Sequence, residues 1–208
     1  MLKKCKPILI IHGGAGPTLK DKNRHLAIHK ALREIIEEAF TLLQKGKSAK
    51  SAVVLATRLL EDCPLFNAGK GSAIQADGII RMSASLMDGK NLRFSGAINV
   101  RGVKNPILLA DRLQNAQSRV LASSGAKTFA QKHLLPMASP YTSRSREILR
   151  RRLKQSRDTV GAVALDIEGR IFAATSTGGM SATHPDSVSD SATVAGNYAN
   201  EFAGVSVT

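Results

Sequence analysis

Residues 158–179 read DTVGAVALDIEGRIFAATSTGG, and this stretch decides the fold. Two runs rich in Val, Ile, Ala and Phe are separated by a three-residue break that contains a glycine, which indicates a β-hairpin. If Asp166 pairs with Arg170, the numbers of opposed residues sum to 336 and Thr159 lies opposite Thr177. Strands that are apolar on both sides are typically covered on both faces. The two threonines at the open end are either ordinary β-formers or residues placed there for chemistry.

The segment before the hairpin indicates a linker. Residues 136–158 begin with Pro, Ser and Thr and continue into an Arg-rich part, for which we expect a loose basic helix. A linker that ends at a buried strand is explained if the chain is cut between Asp158 and Thr159. The new α-amine would lie beside its own hydroxyl and act as its base, giving an N-terminal threonine nucleophile oriented by Thr177. Spacing alone leaves both this hypothesis and an intact chain open.

The rest of the chain predicts alternating strands and helices. We expect strands at 7–11, 79–87, 93–100 and 119–122, and helices at 23–45, 48–60, 105–117 and 126–134. Ser48 and Asn105 are the expected helix N-caps, and Gly46 the expected end of the first helix. Together with the hairpin, these elements predict an α+β layered domain. His12, at the start of a glycine-rich loop, fits a structural histidine, a ligand or a base.

Composition and charge limit the classes of protein. The chain has 208 residues, 43% of them hydrophobic and 4% aromatic, which predicts one domain, or one with a small appendage, around an aliphatic core. No apolar run is long enough to span a bilayer, and two cysteines do not make a disulfide framework, so we expect a cytoplasmic protein without membrane contact. The net charge of +14 is concentrated in the first 158 residues. Without a nucleic-acid motif or an aromatic stacking platform, it favours a solvated basic surface over nucleic-acid binding.

The motifs in this sequence resemble those of the plant-type asparaginases and isoaspartyl peptidases, which are N-terminal nucleophile hydrolases. The matching stretches run in family order: IIHGGAG (10–16), LEDCPLFNAGKGS (60–72), MDG (87–89), NP (105–106), residues 158–180, DS (190–191) and YAN (198–200). The resemblance implies a four-layer αββα sandwich and a precursor that cleaves itself. It also implies hydrolysis of L-asparagine and β-aspartyl dipeptides without a catalytic cofactor, by a homo-oligomer of processed protomers.

Residue by residue, the resemblance assigns roles to four positions. Thr159 resembles the nucleophile of both self-cleavage and catalysis, with Asp158 on the other side of the cleaved bond. Thr177 is similar to the family's second active-site threonine, and Asp190 to the acid that binds the substrate's α-amino group. Thr208 resembles the threonine that begins the family's oxyanion segment. Residues 1–158 would form the large subunit, with the basic linker at its end, and 159–208 the start of the small one.

The loop at residues 60–72 has two interpretations. Its composition fits either a tight turn or a site for a hard cation. The resemblance implies a structural Na⁺ held by main-chain oxygens, with no part in catalysis. The residues that would supply these oxygens are Leu60, Glu61, Cys63, Phe66, Ala68 and Lys70.

The sequence departs from the family pattern in three places. Ser187 stands where the family has an arginine that pairs in bidentate fashion with the substrate's α-carboxylate, a geometry that a hydroxyl cannot reproduce. Asp186 would add repulsion towards that carboxylate. Asp158 replaces the usual glycine, although the related threonine aspartase also cuts an Asp-Thr bond. Since the match also ends at Thr208, we expect a sandwich that is incomplete at its C-terminus. A truncated, catalytically inactive remnant or interaction module is the alternative.

Overall fold

The computed structural model describes residues 5–15, 21–150, 159–181 and 183–208. The strands are β1 (Ile8–His12), β2 (Met82–Asp88), β3 (Arg93–Val100), β4 (Val120–Ala122), β5 (Val160–Leu165), β6 (Ile171–Thr177), β7 (Asn197–Ala199) and β8 (Gly204–Ser206). The α-helices are α1 (Lys22–Gln44), α2 (Ala49–Asp62), α3 (Pro106–Leu113), α4 (Ser123–Lys132) and α5 (Ser143–Arg150). None of the helices in these ranges is long and apolar enough to cross a membrane.

Six strands form one sheet in the order β1-β5-β6-β2-β3-β4, and β7 pairs with β8 in a second sheet. All neighbours in the large sheet are antiparallel except β3 and β4. The β5–β6 hairpin has the predicted register, since Val160 pairs with Ser176 and Leu165 with Ile171. This hairpin lies at the centre of the molecule because β1 and β2 pair along its two outer edges.

The elements stack in layers on either side of the large sheet. Helices α1, α2 and α3 contact one face through strands β1, β5, β6, β2 and β3. The β7–β8 hairpin and a short 3₁₀-helix (Asp190–Ala192) contact the other face through β5, β6 and β2. The predicted mixed α/β class and the helix–sheet–sheet order are therefore present. No helix packs outside the β7–β8 hairpin within the described ranges.

The core is aliphatic, as the scarcity of aromatic residues predicts. Small side chains line the central strands, and larger ones from α1 and α2 fill the space above them. Its fully buried members include Ala52, Val53, Ala56, Leu60, Leu86, Val160, Ala162 and Ala174. Strands β5 and β6 are buried on both faces along most of their length, which explains why their sequences lack polar alternation.

The first residues of α2 are capped as predicted, whereas α3 is capped differently. The Ser48 hydroxyl accepts a hydrogen bond from the Ser51 amide at 3.3 Å. Asn105 occupies the N-cap position of α3, but its side chain donates to Asp62 Oδ1 instead. The α3 amide of Ile107 donates to Glu61 Oε1 at 3.0 Å, so a carboxyl oxygen from α2 supplies the missing cap.

Helix α3 also ends four residues earlier than predicted, at Leu113. The next residue, Gln114, inserts its side-chain amide between strands β2 and β3. Its Nε2 donates to the carbonyls of Leu86 and Arg93, at 2.9 and 3.0 Å, and to Ser95 Oγ. This contact depends on residues distant in the sequence, so helical periodicity does not reveal it.

The segment predicted as a linker is fixed to the domain as far as α5. The Ala138 amide donates to the Gly102 carbonyl at 2.9 Å. The Tyr141 hydroxyl donates to the Gly78 carbonyl at 3.0 Å and accepts from the Ile80 amide. The predicted basic helix is present as α5, whereas residues 151–158, including Asp158, lie outside the described residues.

Candidate active site

A cleft of about 650 Å³ opens where the ends of β5, β6 and β2 meet the loop that follows β6. Thr159, Thr177, Asp190 and Thr208 all line it. These residues come from separate parts of the chain, and the fold brings all four together. The cleft therefore contains every residue that the sequence predicts to act on the substrate.

Thr159 directly precedes β5 and is buried, with 8% of its surface exposed. Its backbone nitrogen donates to Thr208 Oγ1 at 2.9 Å. Its hydroxyl lies 3.1 Å from the hydroxyl of Ser191. The two atoms that an N-terminal threonine nucleophile uses, its nitrogen and its Oγ1, are thus each held by a hydroxyl partner.

Ser191 is a site residue that the prediction did not include. It lies in the short 3₁₀-helix and is fully buried, and its carbonyl accepts from Ser85 Oγ at 2.6 Å. Strand β2 thus anchors the 3₁₀-helix against the sheet. The sequence signal was the Asp190-Ser191 pair in the matched motifs, of which only the acid received a role. A buried serine at hydrogen-bonding distance orients the Thr159 hydroxyl.

Thr177 ends β6, and the strand register places it opposite Ser83 of β2. Its Oγ1 accepts from the Gly179 amide at 3.1 Å. Continuing the hairpin register places Thr159 beside Thr177, as predicted. No hydrogen bond joins these two threonines within the described segments, so the hydroxyl partner of Thr159 is Ser191 rather than Thr177.

Thr208 connects Thr159 to the glycine-rich loop after β1. Besides the Thr159 nitrogen, its Oγ1 accepts from the Ala15 amide at 3.4 Å. The loop and the last residue of the chain therefore meet on the same side of Thr159.

His12 belongs to the support of the site. Its Nε2 lies 2.9 Å from Ser206 Oγ, which in turn lies 2.7 Å from Thr175 Oγ1. Burial lowers the pKa of His12, and a hydrogen bond with the backbone of Thr159 acts in the opposite direction. A Cβ on Gly161 would overlap Ser206 Oγ and His12 Nε2, so this strand position requires glycine. These contacts favour the structural interpretation of His12.

Asp190 is exposed at the start of the 3₁₀-helix, where it faces the cleft. Its carbonyl accepts from both the amide and the hydroxyl of Thr193, at 2.8 and 2.7 Å. Its carboxylate has no hydrogen bond or ion pair within the described residues. It is thus available to a cation in the cleft. Ser187 also lines the cleft, where the resemblance places an arginine in other members of the family.

Arg81 is the second site residue that the prediction did not include. It lines the cleft, although only 7% of its side chain is exposed. Asp77 binds its Nη1 and Nη2 at 3.1 and 2.8 Å, and Gln75 Oε1 accepts from Nη1 at 2.7 Å. Asp186 pairs with Nε at 2.9 Å. The available signal was an arginine inside an otherwise apolar run that predicted a strand.

The 60–72 loop wraps closely on itself. A Cβ on Gly69 would overlap the Glu61 carbonyl, and one on Gly71 would overlap the Phe66 carbonyl, so both glycines allow a close backbone approach to these oxygens. Neutral main-chain oxygens suit a hard cation. The amides of Phe66 and Gly71 donate to the carbonyls of Cys63 and Ala68, which each keep a second lone pair. The loop thus fits a small monovalent cation. The described residues contain no cluster of three or more His, Cys, Asp or Glu side chains that could hold a metal ion.

The Glu61 side chain points away from those carbonyls, into the layer between α2 and the sheet. It is fully buried, and Oε1 accepts from Ser176 Oγ at 2.7 Å as well as from the Ile107 amide. Burial raises the pKa of this carboxyl to about 8, because desolvation outweighs the hydrogen bonds from Ser176, Ile107 and Asn105. Glu61 therefore holds the helix-side surface of β6 at Ser176, the residue before Thr177.

Comparison with known proteins identifies the family. Residues 5–208 match the family model described as asparaginase. The chain belongs to the asparaginase family. It is similar to an isoaspartyl peptidase/L-asparaginase of Nostoc, with 44% identity over all of this chain and 72% of that protein. It is also similar to the isoaspartyl peptidase of Escherichia coli (37% identity, 94% of this chain, 68% of that protein) and to a plant-type L-asparaginase of Pyrococcus furiosus (39%, 96% and 72%).

Family membership confirms the recognition made from the motifs. The asparaginase family has the N-terminal nucleophile hydrolase fold, in agreement with the predicted class. Its enzymes are amidohydrolases that use no catalytic cofactor.

Proposed function

We propose that this protein is a self-cleaving amidohydrolase that acts on L-asparagine and β-aspartyl dipeptides with Thr159 as its N-terminal nucleophile. The observation that carries the proposal is the environment of Thr159: its nitrogen lies 2.9 Å from Thr208 Oγ1 and its hydroxyl 3.1 Å from Ser191 Oγ, inside one cleft. The relatives named isoaspartyl peptidase and L-asparaginase support the substrate class.

Self-cleavage would precede catalysis. Thr159 Oγ1 attacks the carbonyl carbon of Asp158, the C–N bond breaks, and the acyl group moves from nitrogen to oxygen. This shift frees the Thr159 α-amine and leaves an ester on Oγ1. Water then hydrolyses the ester, which releases the Asp158 carboxylate and restores the Thr159 hydroxyl. Residues 1–158 and the chain that begins at Thr159 would become the two subunits. The freed amine is the base that the nucleophile needs.

In the catalytic cycle, the α-amine takes the proton of Thr159 Oγ1 as this oxygen attacks the side-chain amide carbon of the substrate. The α-ammonium then gives this proton to the leaving nitrogen, so the tetrahedral intermediate collapses with loss of ammonia, or of an amino acid from a β-aspartyl dipeptide, and leaves an ester on Thr159. Water hydrolyses the ester to aspartate. In this proposal Asp190 binds the substrate's α-amino group, Thr177 lies beside the reacting carbon, and Thr208 belongs to the oxyanion segment.

A structural Na⁺ completes the proposal. Main-chain oxygens of Leu60, Glu61, Cys63, Phe66, Ala68 and Lys70 would hold it, away from the chemistry. We also infer a homo-oligomer of processed protomers in the cytoplasm. The two free cysteines, Cys5 and Cys63, are compatible with a reducing compartment.

The test combines a processing assay with a turnover assay. On a denaturing gel, the 22.2 kDa chain should be replaced by two bands, one with an N-terminal sequence that reads Thr-Val-Gly-Ala. Thr159→Ala should remain uncut. The cleaved protein should release ammonia from L-asparagine and aspartate from a β-aspartyl dipeptide. An uncut wild-type chain without turnover would instead favour the inactive remnant or interaction module.

A further inference from the structure

The cleft contains an arginine, Arg81, to which the proposed function gives no role, and it also contains Ser187, at which the sequence departs from the family pattern. Asp190 offers a partner for the α-amino group of an amino-acid substrate, whereas Ser187 offers no charge to its α-carboxylate. Arg81 is the only Arg or Lys among the described residues that line the cleft. It lies two residues before Ser83, which pairs with Thr177 across the strands, so its backbone lies about 7 Å along the strand direction from that pair.

The guanidinium of Arg81 has two edges that differ in how firmly they are held. At the end formed by Nη1 and Nη2, the two carboxylate oxygens of Asp77 each accept a hydrogen bond. Gln75 Oε1 accepts the other hydrogen of Nη1. The side edge, formed by Nε and Nη2, holds only one oxygen of Asp186, at 2.9 Å from Nε. The second hydrogen of Nη2, on this same edge, has no partner within the described residues. A carboxylate with both oxygens free would fit the side edge better than Asp186 does.

Asp186 is the partner that is easiest to displace. Its side chain is 64% exposed, compared with 28% for Asp77. Its backbone has φ of 62°, a left-handed conformation that non-glycine residues seldom adopt. Asp186 also lies in a turn closed by the hydrogen bond from the Ser187 amide to the His184 carbonyl. Moving this turn breaks one exposed ion pair.

We propose that Arg81 binds the substrate's α-carboxylate along its Nε/Nη2 edge, and that Asp186 occupies this edge in the free protein and leaves it when substrate binds. This inference rests on the proposed function, because it assigns a role in the same cleft. Charge explains why the substrate's carboxylate should replace Asp186 on Arg81 instead of binding beside it. Asp77 already neutralises Arg81, so two further carboxylates on one guanidinium would repel each other. Instead of only repelling the substrate's α-carboxylate, Asp186 thus competes with it for the Nε/Nη2 edge of Arg81.

The first experiment measures binding without turnover. Isothermal titration calorimetry compares L-aspartate, the expected product, with β-alanine, which has the same amine and side carboxylate but lacks the α-carboxylate. We expect the wild-type protein to bind L-aspartate about tenfold to a hundredfold more tightly, the usual range for a charge-assisted hydrogen bond. Arg81→Gln should abolish this preference, and Arg81→Lys should retain part of it. Arg170→Gln removes an arginine from an ion pair outside the cleft and should leave the preference unchanged.

Asp186→Asn tests the exchange with little risk to folding. Asparagine tolerates the left-handed backbone at least as well as aspartate and competes less for the guanidinium. We expect tighter binding of L-aspartate and a lower KM for L-asparagine, with no change for β-alanine. Arg81→Gln and Asp186→Asn should therefore shift affinity in opposite directions. A purely structural pair would shift both in the same direction.

The outcomes separate this inference from the proposed function. Equal affinity of wild-type protein for L-aspartate and β-alanine, or a preference that survives in Arg81→Gln, would overturn the role of Arg81. Weaker or unchanged binding of L-aspartate to Asp186→Asn would overturn the exchange. Absence of turnover in wild-type protein that still shows the predicted binding pattern would contradict the proposed function alone.

Discussion

Replacing Glu61 by Gln should remove a pH dependence from the stability of the protein. The carboxyl is fully buried and its pKa is raised from 4.5 to about 8, mainly by desolvation. At about 1.4 kcal/mol per pH unit, that difference corresponds to about 5 kcal/mol. Glutamine keeps the shape and keeps Oε1 as the acceptor for Ser176 and Ile107. It cannot ionise, and its amide nitrogen takes the place of Oε2, a buried atom without a hydrogen-bond partner among the described residues, which adds an offset that does not depend on pH.

The sign follows from proton binding. Between pH 4.5 and about 8 the folded protein holds the Glu61 proton and the unfolded chain has lost it, so the folded state binds more protons. The contribution of Glu61 to stability is therefore fully present below pH 4.5 and is lost as the pH rises to about 8. Burial of His12 lowers its pKa and gives a slope of opposite sign near its usual range. Because both proteins contain His12, its contribution cancels when the free energy of unfolding of the Glu61→Gln variant is compared with that of the protein that keeps Glu61.

The assay is urea unfolding followed by circular dichroism at pH 5, 6, 7, 8 and 9. Both proteins should carry Thr159→Ala, so that unfolding concerns one uncut chain. We expect the difference in stability to shift in favour of the glutamine variant between pH 5 and pH 8, by at most about 1.4 kcal/mol per pH unit, and to level off above about pH 8. A difference that does not depend on pH would refute the conclusion that Glu61 is protonated in the folded protein at neutral pH.

Three further predictions concern the hydrogen bond from Ser191 to Thr159, the packing at Gly161, and the proposed cation site in the loop at residues 60–72. Ser191→Ala should lower kcat by roughly tenfold with little change in KM, because one orienting hydrogen bond to Thr159 is lost; a fall in the thermal midpoint instead would indicate a structural role. Gly161→Ala should destabilise the protein by about 1–3 kcal/mol in urea unfolding, because the new Cβ would overlap Ser206 and His12, whereas Gly125→Ala, in open space on α4, should be neutral or stabilising. Sodium chloride should raise the thermal midpoint relative to choline chloride at equal ionic strength, and Gly71→Ala, which overlaps the Phe66 carbonyl, should abolish the rise. An equal rise in both salts would contradict the cation site.

The central hairpin was predictable because its determinants are local. A glycine-containing break between two apolar runs sets the register, and the observed pairing of Val160 with Ser176 follows that register. Ser48 at the start of α2 was predictable for the same reason, since an N-cap is decided within one turn. Side-chain contacts between residues distant in the sequence were not predictable in this way. Glu61 caps α3 and Gln114 ends it through contacts with residues 19–46 positions away, which no local pattern indicates.

The candidate site shows the same division. Thr159 and Thr177 follow from strand pairing, and Asp190 and Thr208 from the family motifs. Ser191 and Arg81 were missed because their chemistry depends on neighbours distant in the sequence. A serine becomes an orienting group only when burial leaves its hydroxyl against Thr159. An arginine at the start of a strand becomes a candidate ligand for a carboxylate only when the loop that contains Asp186 folds over it.

Asn67 explains how the loop at residues 60–72 and the end of β6 are held in one geometry. Its carbonyl accepts from the Gly178 amide at 2.8 Å, and its Nδ2 donates to the Gly179 carbonyl at 2.6 Å. Its Oδ1 accepts from the Ala73 amide, so one side chain joins the end of the loop to the residues directly after Thr177. Because the Gly179 amide donates to Thr177 Oγ1, a shift of the loop would move the hydrogen-bond partner of that threonine. In the proposed function, a cation bound at 60–72 would thus act on catalysis only by fixing positions, through Asn67 at the residues after β6 and through Glu61 at Ser176 within β6.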